Sequence, residues 1–444
     1  MAMTGWRRSF TSHRTSVRVP TSVRVRTAAA LTAGAALIAG CGVLPGGSGG
    51  SREPVKVMTF APEKTRSTNL PGMPALAQTY ARWVAAKGGI DGHELQVITC
   101  NEQNTPAGAA ACARRAVKEE VVAVVGSYSQ HGDAFMAPLE AAGIPFIGGY
   151  GISEEEFTSY LSYPVNGGQA ALMAGSGRQL AGACDKVALV RPNSLAGDEL
   201  PLLLNAALKE RGRDEATDIL APDDATAYAE HAEKARKAAA EATFEELEKG
   251  EKPGCVAAAL GDRTETFLDS FRRLSDDGRQ VRISSVMGSV NQLLINSTGG
   301  RKGPFEGAYV TGWYPEANDA RWQPMRDVIN EYAFGDNRID PADAGVQTTW
   351  IAYTVLRKAI ESLNRNEITA SALSRALDDG VRVTTGGLTP PLRWEYEDML
   401  GAPGYPRIVN TSVSFQMVRG GRLTAQQGDF ADVADTLLNA ASSA

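Results

Sequence analysis

Ser129, His131 and Asp133 place a hydroxyl, an imidazole and a carboxylate within five residues, the parts of an acyl-transfer triad. A triad is a spatial arrangement, however, and alternate neighbours in one loop rarely converge on a single proton path. Beyond the first forty residues the other histidines are His93, in a turn, and His231, in a charged stretch. No H-E-x-x-H, G-x-S-x-G or Walker A sequence is present. The chemistry these residues favour is binding; a secreted hydrolase is the distant alternative.

The N-terminus sets the compartment. Six arginines (Arg7, Arg8, Arg14, Arg18, Arg24, Arg26) and no acid precede a short apolar run, Thr27 to Gly40, which ends at Cys41. This is the layout of a secretory signal, too short to span a membrane. Leu37-Ile38-Ala39-Gly40-Cys41 resembles the lipobox of bacterial lipoproteins, which implies a diacylglyceryl group (with palmitate among its acyl chains) on the Cys41 sulfur and a mature chain beginning there. Two acyl chains anchor stably where one is marginal. The expected location is the extracytoplasmic face of the cell membrane, with 41–53 as a Gly/Ser-rich flexible tether. Arg7-Arg8-Ser9-Phe10 lies far from the apolar run, so Sec and Tat export both stay open.

Removing 1–40 drops six arginines and no acid, leaving 39 basic against 51 acidic residues and a formal charge of about −12. That balance lacks the basic footprint of a nucleic-acid binder. About 400 mature residues exceed one compact core and suggest two lobes. Cys100, Cys112, Cys184 and Cys255 form an even set in an oxidising compartment and suggest disulfides. Three pairings are open; Cys100–Cys112 and Cys184–Cys255 each fall within one expected lobe and are preferred. With no C-x-x-C and no neighbouring His, neither a metal nor a cofactor is expected.

Strand and helix patterns alternate along the body. Val55–Phe60 and Leu95–Ile98 read as strands around a helix with Leu76, Tyr80, Trp83 and Val84 on its buried face. Ala109–Lys118 then precedes the run Val121–Val125, and a helix ending at Pro138–Ala142 leads into Ile144–Ile147. The pattern restarts at Lys186–Val190, continuing through Glu199–Arg211, Val256–Leu260, Thr264–Leu274 and Val281–Ile283. Continuous apolar strands between helices predict α/β lobes with parallel sheets covered on both faces. Ligands then bind outside the carboxyl ends of the strands, in the cleft between lobes. Tyr228–Lys249, rich in Ala, Glu and Lys, reads as a long solvated helix held by charge pairs, a partner-binding helix being the alternative.

Several stretches resemble the branched-chain amino acid (Leu/Ile/Val-binding, type I) family of periplasmic-binding proteins, in that family's order over roughly residues 54–425. Ala85-Ala86-Lys87-Gly88-Gly89-Ile90-Asp91-Gly92 resembles its N-x-x-G-G-I-x-G turn. Val125–Ser129 resembles V-I-G-x-x-S-S, Ala142–Ile147 resembles x-x-I-P-x-I, Lys186–Val190 with Gly197 resembles K-V-A-L-V…G, and Trp350–Glu361 resembles a late family helix. The resemblance implies two Rossmann-like lobes joined by three hinge crossings, closing on a small ligand that an ABC permease receives. Lobe 1 is expected over 54–165 and 287–387, lobe 2 over 166–286 and 388–425, with 426–444 a C-terminal tail. A monomer is expected. A ligand-sensing lipoprotein serving a receptor or kinase is the alternative that sequence leaves open.

By the same resemblance, backbone and hydroxyl groups at Ser127, Tyr128 and Ser129 would meet a ligand carboxylate, an anion position favoured by the following helix N-terminus. Gly149 and Tyr150, at the next strand end, would line the cleft. Asp262 would meet an amine, with Arg263 beside it. Capping of the next helix is the alternative for the two serines, packing for Tyr150, and a surface ion pair for Asp262 and Arg263. The chain departs from the family at Ala196-Gly197, where many relatives have Tyr-Gly. It departs again at Glu63-Lys64-Thr65-Arg66-Ser67, where Arg66 could meet a more acidic ligand.

Overall fold

The computed structural model describes residues 52–66, 68–222, 225–239, 252–274, 281–286, 289–426, 428 and 430–441, without the side chains of Leu195, Ala196, Asp262 and Leu293. Cys41, the expected signal and most of the tether lie outside the described residues.

The first lobe opens with β1 (Val55–Ala61), α1 (Gly72–Ala86), β2 (Leu95–Asn101), α2 (Pro106–Lys118), β3 (Ala123–Val125), α3 (Gly132–Ala142), β4 (Phe146–Ile147), α4 (Glu155–Thr158) and β5 (Ser162–Tyr163). The strands lie in the order β2-β1-β3-β4-β5, all parallel. β1 is buried at every position but Lys56, as a strand covered on both faces must be. Leu76, Tyr80 and Val84 of α1 are buried and Trp83 is half-buried. The helix stops at Gly88 and Gly89, with φ of +87° and +90°. A Cβ on Gly89 would sit 2.3 Å from the His93 carbonyl, so only glycine fits. The His93 ring is buried between the carbonyls of Glu53 (2.6 Å) and Arg365 (3.0 Å), which makes it a structural histidine.

The chain crosses to the second lobe through Pro164–Gly167 into α5 (Gly168–Ala183). There follow β6 (Val187–Pro192), α6 (Leu195–Lys209), β7 (Thr217–Ala221), α7 (Ala229–Ala239), β8 (Gly254–Ala258), α8 (Thr264–Arg272), β9 (Val281–Val286), α9 (Gln292–Ser297) and β10 (Tyr309–Gly312). It returns to the first lobe at Trp313 for α10 (Gln323–Tyr332), α11 (Ala344–Leu363) and α12 (Ala370–Asp378), then crosses a third time to β11 (Ser412–Arg419), β12 (Arg422–Ala425), β13 (Ala431–Asp432) and α13 (Ala434–Ala441). The second sheet runs β12-β11-β10-β9-β8-β6-β7, and β13 pairs with β11. The two-lobed α/β architecture with three crossings is as expected, and so are the disulfides Cys100–Cys112 and Cys184–Cys255.

Five expectations need correction. The second sheet is mixed, because β11 runs antiparallel to both β10 and β12. The stretch 287–387, expected in lobe 1, contains β10, which pairs with β9 and β11 in the second sheet. Trp394, expected in lobe 2, is buried in the first lobe's core beside Tyr163 and donates its indole N–H to the Pro164 carbonyl (3.0 Å). The expected C-terminal tail packs against the second lobe in its described part: Val433 and Leu437 are buried, and Thr436 donates to Glu210 (2.8 Å). α7 also differs from a solvated helix, since Ala232, Ala235 and Ala239 form a fully buried face. Residues 240–251 lie outside the described residues.

Candidate functional site

The carboxyl ends of β1, β3 and β4 deliver three loops to one end of the first lobe: 62–71, 126–131 and 148–153. Ser127 and Ser129, expected to offer hydroxyls to a ligand, are buried and use them internally. Ser127 Oγ accepts the Phe60 N–H (3.0 Å), tying β3 to β1 just before the loop opens. Ser129 Oγ donates to Glu102 Oε2 (3.0 Å) and accepts the His131 N–H (3.1 Å) at the entrance to α3. Burial raises Glu102 above the usual carboxylate range, and the Asn104 N–H and the Ser129 hydroxyl partly offset this.

Tyr128 donates its N–H to the Phe60 carbonyl (3.0 Å), and its ring packs with Ala61 and Met73. Gln130 Nε2 donates to Tyr128 Oη (2.9 Å) and Thr68 Oγ1 (3.1 Å), fastening the first loop over the second. Ser129, His131 and Asp133 make no triad. The Ser129–His131 bond uses a main-chain N–H, not the imidazole, and Asp133 accepts the Ala134 N–H (2.8 Å).

Tyr150 is half-exposed. Its N–H donates to the Ser127 carbonyl (3.0 Å), and its ring stands edge-on to Tyr128 (5.1 Å) and to Trp313 (5.3 Å). Trp313, immediately after β10, donates its indole N–H to the Gly168 carbonyl (2.9 Å), so the aromatic step reaches the hinge. Sequence reading missed Trp313, although a Trp-Tyr pair directly after an apolar strand was a usable signal. Gly149 is buried; a Cβ there would sit 1.9 Å from Glu156 Oε2. Arg66 is exposed in the first loop, and Arg263 is half-exposed in the turn Gly261–Arg263 that follows β8 on the second lobe. The side chain of Asp262 lies outside the described residues.

At the family departure Ala196-Gly197, Ser194 caps α6 by accepting the Gly197 N–H (3.2 Å). A Cβ on Gly197 would meet the Pro192 carbonyl at 2.3 Å. Arg191, a residue the sequence reading passed over, is buried at the end of β6 between Asp198 (2.6 Å) and Asp218 (2.8 Å), a brace for the sheet edge. A cavity of about 700 Å³ lined by Arg272, Arg282, Glu306 and Arg419 lies at the amino ends of β9 and β10. Ligands of open α/β sheets bind at the opposite, carboxyl ends, so the candidate site is the loop set around Tyr150.

A family model described as periplasmic binding protein matches residues 65–398. The chain belongs to the periplasmic binding protein family. Family membership carries the general function of an extracytoplasmic solute-binding protein for an ABC-type transporter, and makes the chain a binding protein, not an enzyme. Among curated proteins no match was found. Solved structures share the fold at low identity. A possible leucine/isoleucine/valine-binding protein from Rhodopirellula baltica has a TM-score of 0.67 at 15% identity, over 87% of this chain and 98% of that one. A substrate-binding periplasmic protein from Ralstonia solanacearum gives 0.65 at 15%, over 84% and 100%. An ABC-transporter solute-binding protein from R. palustris, in complex with 4-hydroxybenzoate, gives 0.64 at 15%, over 85% and 97%.

Proposed function

We propose that this periplasmic binding protein is a lipoprotein, anchored through Cys41, that captures a small polar ligand carrying a carboxylate (an amino acid or a related acid or amide) in the cleft between its lobes. The observation that carries this reading is the half-exposed Tyr150 ring, set between Tyr128 and the hinge residue Trp313 where strand carboxyl ends converge. A ring so placed offers a face to the ligand's apolar part, and Arg66 lies in the loop after β1 and Arg263 in the turn after β8. The R. palustris protein is in complex with 4-hydroxybenzoate, a carboxylate, and the R. baltica protein is described as a possible leucine/isoleucine/valine-binding protein, for ligands that also carry one. With the Ser127 and Ser129 hydroxyls engaged internally, recognition falls to Tyr150, the arginines and main-chain groups. Delivery to a permease follows from the family; a receptor-coupled sensor would bind the ligand in the same cleft.

The test is a thermal-melt screen of residues 41–444 against amino acids, aromatic and aliphatic carboxylates, amides and sugars. A ligand at a hundred times its Kd adds about 2.7 kcal/mol, which is a shift of several degrees. The expected result is a shift with one carboxylate class that is lost in Tyr150→Ala; a shift with sugars alone would refute the carboxylate reading. For the anchor, wild type should fractionate with membranes and Cys41→Ala should not. Equal membrane retention of both would rule out lipidation at that residue.

A further inference from the structure

The β4–α4 loop carries Gly149 and Tyr150 into the cleft, and beneath it lies a carboxylate with an unusual set of partners. Glu156 is 2% exposed. Its Oε2 accepts the N–H of Gly151 (2.8 Å), and its Oε1 accepts the N–H groups of Ile152 (3.0 Å) and Ser153 (3.0 Å) and the Ser153 hydroxyl (3.3 Å). Ser153-x-x-Glu156 has capping-box spacing, and the glutamate reaches back further than a capping box requires. Gly149 makes room for it, since a Cβ would sit 1.9 Å from Oε2. The main chain of Glu156 is also fixed, because Ser162 Oγ of β5 donates to its carbonyl (2.6 Å).

We propose that Glu156 is a positioning residue of the binding cleft: its ionised carboxylate fills the N–H nest of the β4–α4 loop and so holds Tyr150 between Tyr128 and Trp313. Loop N–H groups that could have served a ligand anion are thereby consumed. The loop meets its ligand through Tyr150, held in place by an anion the chain supplies itself. That the loop faces a ligand rests on the solute-binding reading; the positioning itself does not.

The arrangement is proton-linked. The charged groups around α4 are Glu154 and Glu155 on the helix, Asp133 and Glu140 on α3, His131 before α3, and Arg407 and Asp378 on the hinge side. Among the described residues none of them forms an ion pair with Glu156. Burial without a cation pushes this carboxyl up to about 7, against the pull of the three N–H groups and the hydroxyl. Opening the loop would return the carboxyl to water and to its ordinary range, so the closed loop is the form that holds the proton more tightly.

Hydrogen exchange in peptides spanning residues 148–157 of the full chain tests this without any ligand. At pH 8.5, where the carboxylate is ionised, protection factors corrected for intrinsic rates should be high in wild type and several-fold lower in Glu156→Ala, which leaves three loop N–H groups without their acceptor. In Glu156→Gln they should be intermediate, because the amide nitrogen cannot accept the Gly151 N–H while Oε1 still accepts the other two. Wild-type protection in Glu156→Ala, or no loss in Glu156→Gln, would overturn the proposal. Should the Ala variant not fold, the Gln variant decides alone. Because no ligand enters, unchanged exchange and a blank melt screen are separate failures.

Discussion

Glu102 and Glu156 sit under two of the three loops at the strand carboxyl ends of the first lobe, and both are raised by burial. Their effect on stability has a definite sign. A folded state with a raised carboxyl pKa holds a proton that the unfolded chain has already released, so stability falls as pH rises. The contribution is complete below the ordinary glutamate value of 4.5 and, for Glu156, is gone once the pH passes about 7. That interval corresponds to on the order of 3 kcal/mol. Asp319 and Asp336, held low by Arg321 and Arg338, act with the opposite sign, but below the ordinary aspartate value of 3.8. The two windows do not overlap. Urea unfolding of wild type at pH 5 and pH 8 should therefore show a loss of stability that shrinks by up to roughly that amount in Glu156→Gln. An equal loss in both proteins would mean that Glu156 titrates like a solvated carboxylate.

At the scale of elements, legibility followed locality. β1 and α1 were plain because each is specified by its own residues: a two-sided apolar run, and a stripe from Leu76 to Val84 ending at two glycines. β7 escaped because it is an edge strand, exposed at three of five positions, with no apolar run to betray it. β10 was placed in the wrong lobe because its four residues owe their sheet to β9 and to β11, the latter about a hundred residues onward. α7 looked solvated because alanine carries little apolar signal, yet a small-residue face is what lets a helix sit closely on a sheet. The site obeys the same rule. Which stretches form the loops at the strand carboxyl ends was readable, but the direction of the Ser127 and Ser129 hydroxyls was not, because their partners Phe60 and Glu102 come from other strand ends. Glu156 was readable in principle, since Ser153-x-x-Glu156 is a local pattern.

For the whole molecule, the proposed capture of a ligand between the lobes depends on the three crossings, and Asn166 joins two of them to the loop of Tyr150. It lies in the first crossing, 1% exposed. Its Nδ2 donates to Tyr314 Oη in the second crossing (3.1 Å) and to the Tyr150 carbonyl in the cleft loop (3.3 Å), while its Oδ1 accepts the Gly168 N–H (2.9 Å). Asn410 completes the set from the third crossing by donating to the Val165 carbonyl (3.0 Å). Ligand closes such a protein only by its differential affinity for the shut state, so any change in the open–shut balance reappears as a change in apparent affinity. Asn166→Ala strands the buried Gly168 N–H and should cost about 1–3 kcal/mol in urea unfolding. Asn166→Asp keeps that acceptor but forfeits both donations, and places a charge beside the Tyr150 carbonyl, so it should cost at least as much. The affinity of either variant for the compound found by the melt screen should differ from wild type by more than its unfolding midpoint alone would suggest, since the hinge sets the balance that the ligand must shift. Unaltered stability and affinity in Asn166→Asp would show that the crossings act as independent tethers, with closure governed elsewhere in the lobes.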